Sequence, residues 1–236
     1  MSTAHARHQE TLMSNPWFAG LPPPVRDDVL ASTQLRTLVQ GQCVFRRGDP
    51  PDYLFALLEG CVRISGTSSD GREALLNFYE PGAWFGEVSV LDGGPRTHDA
   101  HAHTPVRLLQ LATPDFERLL QAHPVLGRKL LQLECSRLRM MLEGFEAFST
   151  HSLEQRLAMR LLDLSQAFGQ QQGGGTAIDL HLSQEVLAQM VGSTRQRVNQ
   201  LLRQWEQGGW VSHRYGRLVL LRPDLLRALQ SGQAGG

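Results

Sequence analysis

The sequence predicts an α+β protein: a β-rich sandwich or barrel, then a long helix, then a small helix-turn-helix domain with a β-wing. Three observations predict it. Short apolar runs alternate with turn signals from Thr37 to Leu119, apolar residues recur at helical spacing from Pro124 to Phe148, and two short apolar-faced segments flank a glycine between Ser183 and Trp205. The 236 residues allow one large domain or two small ones, and 41% hydrophobic with 19% charged residues is the balance of packed globular chains. No apolar run approaches the roughly 18 residues that cross a bilayer. The opening Met1-Ser2-Thr3-Ala4-His5-Ala6-Arg7 has no apolar core of a signal peptide. The expectation is a soluble cytoplasmic protein without a membrane partner.

The strand runs are Cys43–Phe45, Leu54–Leu58, Val62–Ile64, Ala74–Phe78, Val88–Leu91 and Val106–Leu111. Turn signals separate them at Gly48-Asp49-Pro50, Gly60, Asp70-Gly71, Pro81-Gly82 and Gly93-Gly94-Pro95. Many short strands at close spacing suggest an antiparallel, jelly-roll-like sandwich or barrel. Pro124 can open a helix in its first turn. Leu131, Leu138, Met141, Phe145 and Phe148 then form one stripe with coiled-coil character, which wants a partner helix or packs on its own domain. Ser149, Thr150 and Ser152 read as breakers or caps, and Leu153 to Phe168 as a second amphipathic helix. Gly169 to Thr176 is polar and glycine-rich and reads as a flexible loop.

Ser183 is placed to cap the next helix, whose apolar face is Val186, Leu187 and Met190. Gly192 allows a left-handed turn, and Val198, Leu201 and Leu202 form the buried face of the second helix. The outward residues of that helix are Thr194, Arg195, Gln196, Arg197, Asn199 and Gln200. Arginine pairs with guanine O6/N7 and glutamine with adenine N6/N7 in a major groove. Gly208–His213 and Leu218–Leu221 flank Arg214-Tyr215-Gly216-Arg217 as a hairpin, a wing that would bring Arg214 and Arg217 to phosphates. The charges agree weakly: 14 basic against 17 acidic side chains in residues 1–150, and 9 against 6 in residues 151–236.

The stretch Phe85 to Thr97 combines glycine turns, a carboxylate, and an arginine followed by a hydroxyl. Two readings fit. It cradles a phosphodiester, with amides and Thr97 donating, Arg96 neutralising charge and Glu87 accepting from a ribose hydroxyl; or a Glu87–Arg96 ion pair braces a turn. Cys43, Cys61 and Cys135 are odd in number and lack C-x-x-C spacing, so neither a disulfide framework nor an iron–sulfur cluster is expected. Asp99, His101 and His103 share one face of a strand after His98, either as a solvated face or as a metal- or pH-sensing trio.

Taken together, Gly48-Asp49, Asp70-Gly71, Pro81-Gly82, the Phe85-Gly86-Glu87 to Pro95-Arg96-Thr97 cassette, His123-Pro124 and Gly192–Asn199 closely resemble the Crp/Fnr family of bacterial transcription regulators over residues 15–228. The resemblance implies a cyclic-nucleotide-binding β-roll over 15–123, a dimerisation helix over 124–148 and a winged helix-turn-helix over 149–236. It implies ligand contacts from Gly86, Glu87, Val88, Ser89, Arg96, Thr97, Met141 and Leu142. A dimer interface would run through Leu131, Leu138, Met141, Phe145 and Phe148. DNA contacts would come from Ser183, Thr194, Arg195, Gln196, Arg197, Asn199, Gln200, Arg214 and Arg217, with Arg195 on the family's guanine-reading position. The implied partners are a palindromic duplex operator, a second copy of the chain and RNA polymerase.

The departures concern the ligand. Met141 and Leu142 stand where the cyclic-AMP receptor holds adenine with a Thr-Ser pair, and they lack those hydrogen-bonding groups. Gln196 and Gln200 replace that receptor's glutamate and arginine. The resemblance still implies cyclic AMP as the first expected effector and cyclic di-GMP as the second, with a nucleotide-independent member the alternative, and neither metal nor haem is expected. A nucleotide-regulated subunit that does not bind DNA is disfavoured by the winged helix. No Ser-His-Asp order or Walker-type loop marks an enzyme.

Overall fold

The computed structural model describes residues 3–67, 73–214 and 217–230. Its elements run α1 (Thr3–Met13), α2 (Pro16–Ala19), α3 (Pro23–Ala31), β1 (Thr33–Leu38), β2 (Cys43–Phe45), β3 (Tyr53–Glu59), β4 (Val62–Thr67), β5 (Glu73–Tyr79), β6 (Trp84–Phe85), α4 (Glu87–Asp92), β7 (Asp99–Ala102), β8 (Val106–Ala112) and α5 (Thr113–Ala122). They continue through α6 (Pro124–Thr150), α7 (Leu153–Phe168), β9 (Gly169–Gln172), β10 (Gly175–Ile178), α8 (Gln184–Val191), α9 (Arg195–Gln207), β11 (Val211–Arg214), β12 (Arg217–Leu220) and α10 (Pro223–Gln230). The chain divides into two compact units, residues 1–140 and 141–236, with α6 running through the division.

In the first unit, two antiparallel sheets form a roll, ordered β1-β8-β3-β6 and β2-β7-β4-β5 among the described residues. The register places Leu54 opposite Leu111 and Phe55 opposite Gln110, so alternate residues of β3 face opposite sides of its sheet. One side packs Phe55, Leu57 and Phe85 against Val62, Ala100 and Ala102 of the second sheet. On the other, Trp17, Phe18 and Trp84 form an aromatic cluster with Phe116, Leu126 and Leu130, which fastens α2, α5 and the start of α6 to the roll. β3 is therefore apolar almost throughout, as expected of a strand covered on both faces.

One strand reading and one loop reading are corrected. Val88–Leu91 is helical: Glu87 and Val90 turn inward while Val88 and Leu91 lie exposed, a three-residue spacing that alternation does not produce. The stretch Gly169–Thr176, expected to be a flexible loop, contains β9 and the start of β10, paired antiparallel in register from Gly169↔Ile178 to Gln172↔Gly175. Gly173 and Gly174 close that hairpin with φ of +58° and +84°, the left-handed pair a tight two-residue turn requires. The Asp70-Gly71 and Tyr215-Gly216 turn signals lie outside the described residues.

The second unit packs α7 through Leu157, Leu161 and Leu164 and carries a sheet ordered β11-β12-β10-β9. Ser152 opens α7 with a reciprocal cap: its Oγ accepts from Gln155 N at 3.2 Å and its own N donates to Gln155 Oε1 at 2.9 Å. Ser149 and Thr150 are not breakers; their hydroxyls donate to the carbonyls of Phe145 and Glu146 inside α6. No described helix is long and apolar enough to cross a membrane.

Candidate effector and nucleic-acid sites

The cassette occupies one side of the roll. Gly86 and Glu87 open α4, whose first amides have no side-chain cap, and Ser89 is buried with its hydroxyl donating to the Pro95 carbonyl at 3.1 Å. Glu87 and Arg96 are both buried, at 5% and 3% exposure, yet they do not pair with each other. Arg96 donates from Nη1 to the Gly86 carbonyl at 2.6 Å and from Nη2 to the Tyr53 carbonyl. Its guanidinium lies 4.6 Å from the Phe45 ring centroid and 5.7 Å from that of Phe55. Its Nε is buried without a hydrogen-bond partner, and burial pulls its pKa below the usual arginine value. Thr97 is exposed, with Oγ1 3.0 Å from His98 Nδ1.

Glu87 instead pairs with Arg137 of α6. That guanidinium also reaches Glu134 at 3.4 Å and donates to the Trp84 carbonyl. Burial works against the charged Arg137, but Glu87, Tyr79 and Glu134 together raise its pKa. Burial, then Glu87, pushes the Glu134 carboxyl up. Tyr79 stacks on Phe85 at 5.1 Å, and burial lifts its phenol to about 12. The second carboxylate oxygen of Glu87, Oε2, is buried with no partner. A buried lone acceptor beside uncapped amides suits a hydroxyl-bearing anion. Sequence reasoning named the carboxylate and the arginine but missed Arg137, whose only sequence signal is a cation beside the α6 stripe.

The stripe itself is exposed: Leu131, Leu138, Met141, Leu142 and Phe145 each show more than half their surface, as does Phe148. Such a band is far more apolar than a solvated helix face needs. Phe148 is also engaged inside its own unit, with Arg156 4.8 Å above its ring.

Asp99, His101 and His103 do not form a metal site. Asp99 accepts from Arg47 N at 2.8 Å, His103 packs on Phe78 at 4.8 Å, and no group of three or more metal-ligating side chains occurs among the described residues. Burial, and then the neighbouring Arg47, hold His98 below the ordinary histidine value. Cys43, Cys61 and Cys135 are free thiols.

The helix-turn-helix is built from α8 and α9. Ser183 Oγ accepts from Val186 N at 3.1 Å, and Thr194 Oγ1 from Arg197 N at 3.3 Å, so both serve as N-caps. The buried face is Leu187, Ala188 and Val191 against Val198, Leu202 and Trp205, with Val186, Met190 and Leu201 only half-buried. Arg195, Gln196, Arg197 and Gln200 lie exposed on the opposite side, and half-buried Asn199 accepts from Gln184 Nε2 at 2.9 Å. In the wing, Arg217 pairs with Asp179 at 2.8 Å, so a phosphate would compete with that carboxylate. The side chain of Arg214 lies outside the described residues.

Comparison with known proteins agrees with both halves. Residues 35–123 match a cyclic nucleotide-binding domain and residues 155–229 a Crp-like helix-turn-helix domain. The chain is 33% identical over 194 residues to the CRP-like cAMP-activated global transcriptional regulator of Mycobacterium tuberculosis, covering 82% of this chain and 87% of that one. It is 30% identical to the global nitrogen regulator of a Synechocystis strain, covering 81% and 86%. Among solved structures it is similar to the c-di-GMP-responsive global regulator CLP of Xanthomonas campestris, with a TM-score of 0.69 and 24% identity, covering 84% of this chain and 99% of that one.

Proposed function

Since the chain belongs to the Crp/Fnr family of bacterial transcription regulators, a family of DNA-binding proteins and not of enzymes, we propose that it works in the cytoplasm as a homodimer that docks two α9 helices on a palindromic operator under control of a small effector. The observation that carries the DNA half is α9 itself: one face is buried through Val198, Leu202 and Trp205, while Arg195, Gln196, Arg197 and Gln200 stand free on the other. The exposed α6 stripe would meet the same stripe of a second copy, and RNA polymerase would be engaged from the bound dimer. Replacing Arg195 with Ala is expected to weaken specific binding by about 1 to 3 kcal/mol, measured as operator affinity by fluorescence anisotropy. Unchanged discrimination between operator and random duplex would contradict it.

The effector reading rests on the buried, partnerless Oε2 of Glu87 beside the first turn of α4. Cyclic AMP is the first candidate, because the Mycobacterium tuberculosis relative is activated by it. Cyclic di-GMP is the second. Glu87 would accept from a ribose hydroxyl, the α4 amides and Thr97 would donate to the phosphodiester, and Arg96 would supply the cation. A ligand that binds the DNA-competent arrangement more tightly shifts the population by that difference in affinity. A second reading, a member that works without a nucleotide, is favoured by Arg96, whose guanidinium is folded onto the Gly86 and Tyr53 carbonyls and two phenyl rings.

Calorimetry separates these readings. Cyclic AMP, cyclic GMP and cyclic di-GMP are titrated into the intact protein and into Arg96→Ala. One nucleotide is expected to bind saturably and to lose at least about tenfold in affinity in the variant, the size of a charge-assisted contact. No binding by any of the three would leave the nucleotide-independent reading.

A further inference from the structure

Among the described residues, one of the side chains that the first two turns of α9 turn outward is held by the neighbouring helix. Asn199 is half-buried, and its Oδ1 accepts a 2.9 Å hydrogen bond from Nε2 of Gln184, the first residue of α8. Asn199 lies four residues after Arg195, hence one helical turn behind it on the same face. An unrestrained asparagine offers both a carbonyl and an amide NH2 to a base edge and so prefers adenine, which pairs with both. A bond to Oδ1 removes that symmetry. It turns the carbonyl toward α8 and leaves the NH2 of Nδ2, which has no partner among the described residues, as the group presented outward.

On the reading that α9 enters the major groove, we propose that Gln184 is a positioning residue that sets the base preference of Asn199. The Gln184–Asn199 bond makes Asn199 a donor-only reader of the base pair next to the one contacted by Arg195. A donor-only amide donates to the acceptor edges of guanine (N7, O6) and thymine (O4), can use only N7 of adenine, and disfavours cytosine, whose groove edge offers only the N4 amine. Gln184 needs no contact with the DNA for this: it acts by holding the amide of Asn199 in one of its two orientations.

The test is selection of random duplexes by the full chain, with cyclic AMP present throughout, comparing the wild type with Gln184→Ala, Gln184→Glu, Asn199→Ala and Arg195→Ala. Thermal melting of each variant checks that it folds; Gln184 is only half-buried, so all are expected to do so. In Gln184→Ala the preference at one base pair of each half-site falls about fivefold, the worth of one hydrogen bond, and shifts toward adenine. In Gln184→Glu the polarity reverses. A carboxylate only accepts, so Asn199 donates to it and turns its carbonyl outward, and selection moves to cytosine or adenine, whose exocyclic amines donate. Asn199→Ala loses the preference at that pair.

A Gln184→Ala or Gln184→Glu protein that selects the wild-type sequence overturns the proposal, as does an unaltered preference in Asn199→Ala. Arg195→Ala separates the two levels. If it loses its own base while the Gln184 variants change nothing, the groove reading stands and only the positioning role falls. If it too selects the wild-type sequence, or the full chain enriches no duplex, the groove reading falls and the proposal with it.

Discussion

Replacing Arg137 with alanine lowers the midpoint of thermal unfolding by on the order of 10 °C, corresponding to roughly 3 kcal/mol or more. The reason is what the substitution leaves behind. Glu87 is 5% exposed, and one of its oxygens already has no partner; without Arg137 the other loses its ion pair too. Glu134, also within reach of the same guanidinium, is left near a second carboxylate. The loss is therefore pH-dependent, and its sign follows from Glu134, whose pKa is raised by burial and by Glu87. A carboxyl with a raised folded-state pKa favours the folded form while protonated and loses that contribution as pH rises through the folded value. The Arg137→Ala deficit should thus shrink as pH falls through the raised Glu134 value and that carboxyl takes up its proton. Replacing Glu87 and Arg137 together by leucines should recover much of the stability, since an apolar pair of similar size carries no desolvation cost. A deficit that is small and independent of pH would show that the pair is screened by water.

Gly192→Ala is expected to abolish tight DNA binding while leaving the first unit folded. Gly192 closes α8 at φ +61°, which costs a residue bearing a side chain about 1–2 kcal/mol. An added Cβ would also lie 2.6 and 2.8 Å from Cε2 and Cζ of Phe148. That ring is more than half exposed, but one of its faces is covered. It sits under Arg156, which donates from Nε to the Val191 carbonyl at 3.2 Å and from Nη1 to the His151 carbonyl at 2.8 Å. Shifting the ring disturbs the cation that ties the end of α8 to the start of α7, so the angle between α8 and α9 is the quantity at risk. The check is a pair of measurements, operator affinity and urea unfolding, on Gly192→Ala and on Gly192→Ala/Phe148→Ala. The double variant should regain the steric part and keep the backbone part. Wild-type affinity in the single variant would mean that the turn tolerates the side chain.

Local features were legible because their causes are local. Ser183 and Ser152 cap helices through hydrogen bonds three residues away, and Gly192 closes a turn whose geometry few other residues adopt; Thr194, read as an outward DNA contact, caps α9 in the same way. The amphipathic stretch Leu153–Phe168 is a helix over those same residues, because its apolar spacing repeats for four turns. Val88–Leu91 misleads for the opposite reason: four residues are too few to distinguish a period of two from one of 3.6. The helix Thr113–Ala122 was hidden in the same way, at the end of a stretch dominated by short apolar strands. Gly169–Thr176 misleads because its composition is that of a linker; Gly173-Gly174 between two polar arms is a hairpin signal as well as a linker signal.

By itself, the sequence determined the order of the roll, the long helix and the helix-turn-helix, the Ser152 and Ser183 caps and the face of α9 that stays exposed. Only the tertiary structure decided which charges meet. Glu87 looked toward Arg96 in the sequence and pairs with Arg137 in the fold, while Arg96 turns to the carbonyls of Gly86 and Tyr53 and the rings of Phe45 and Phe55. The Asn199 amide is likewise oriented by a glutamine from the neighbouring helix. Periodicity and capping act over a few residues and are written in their spacing. The partner of a buried charge is set by which groups the packed core brings within hydrogen-bonding distance after water has left, and sequence separation does not encode that distance.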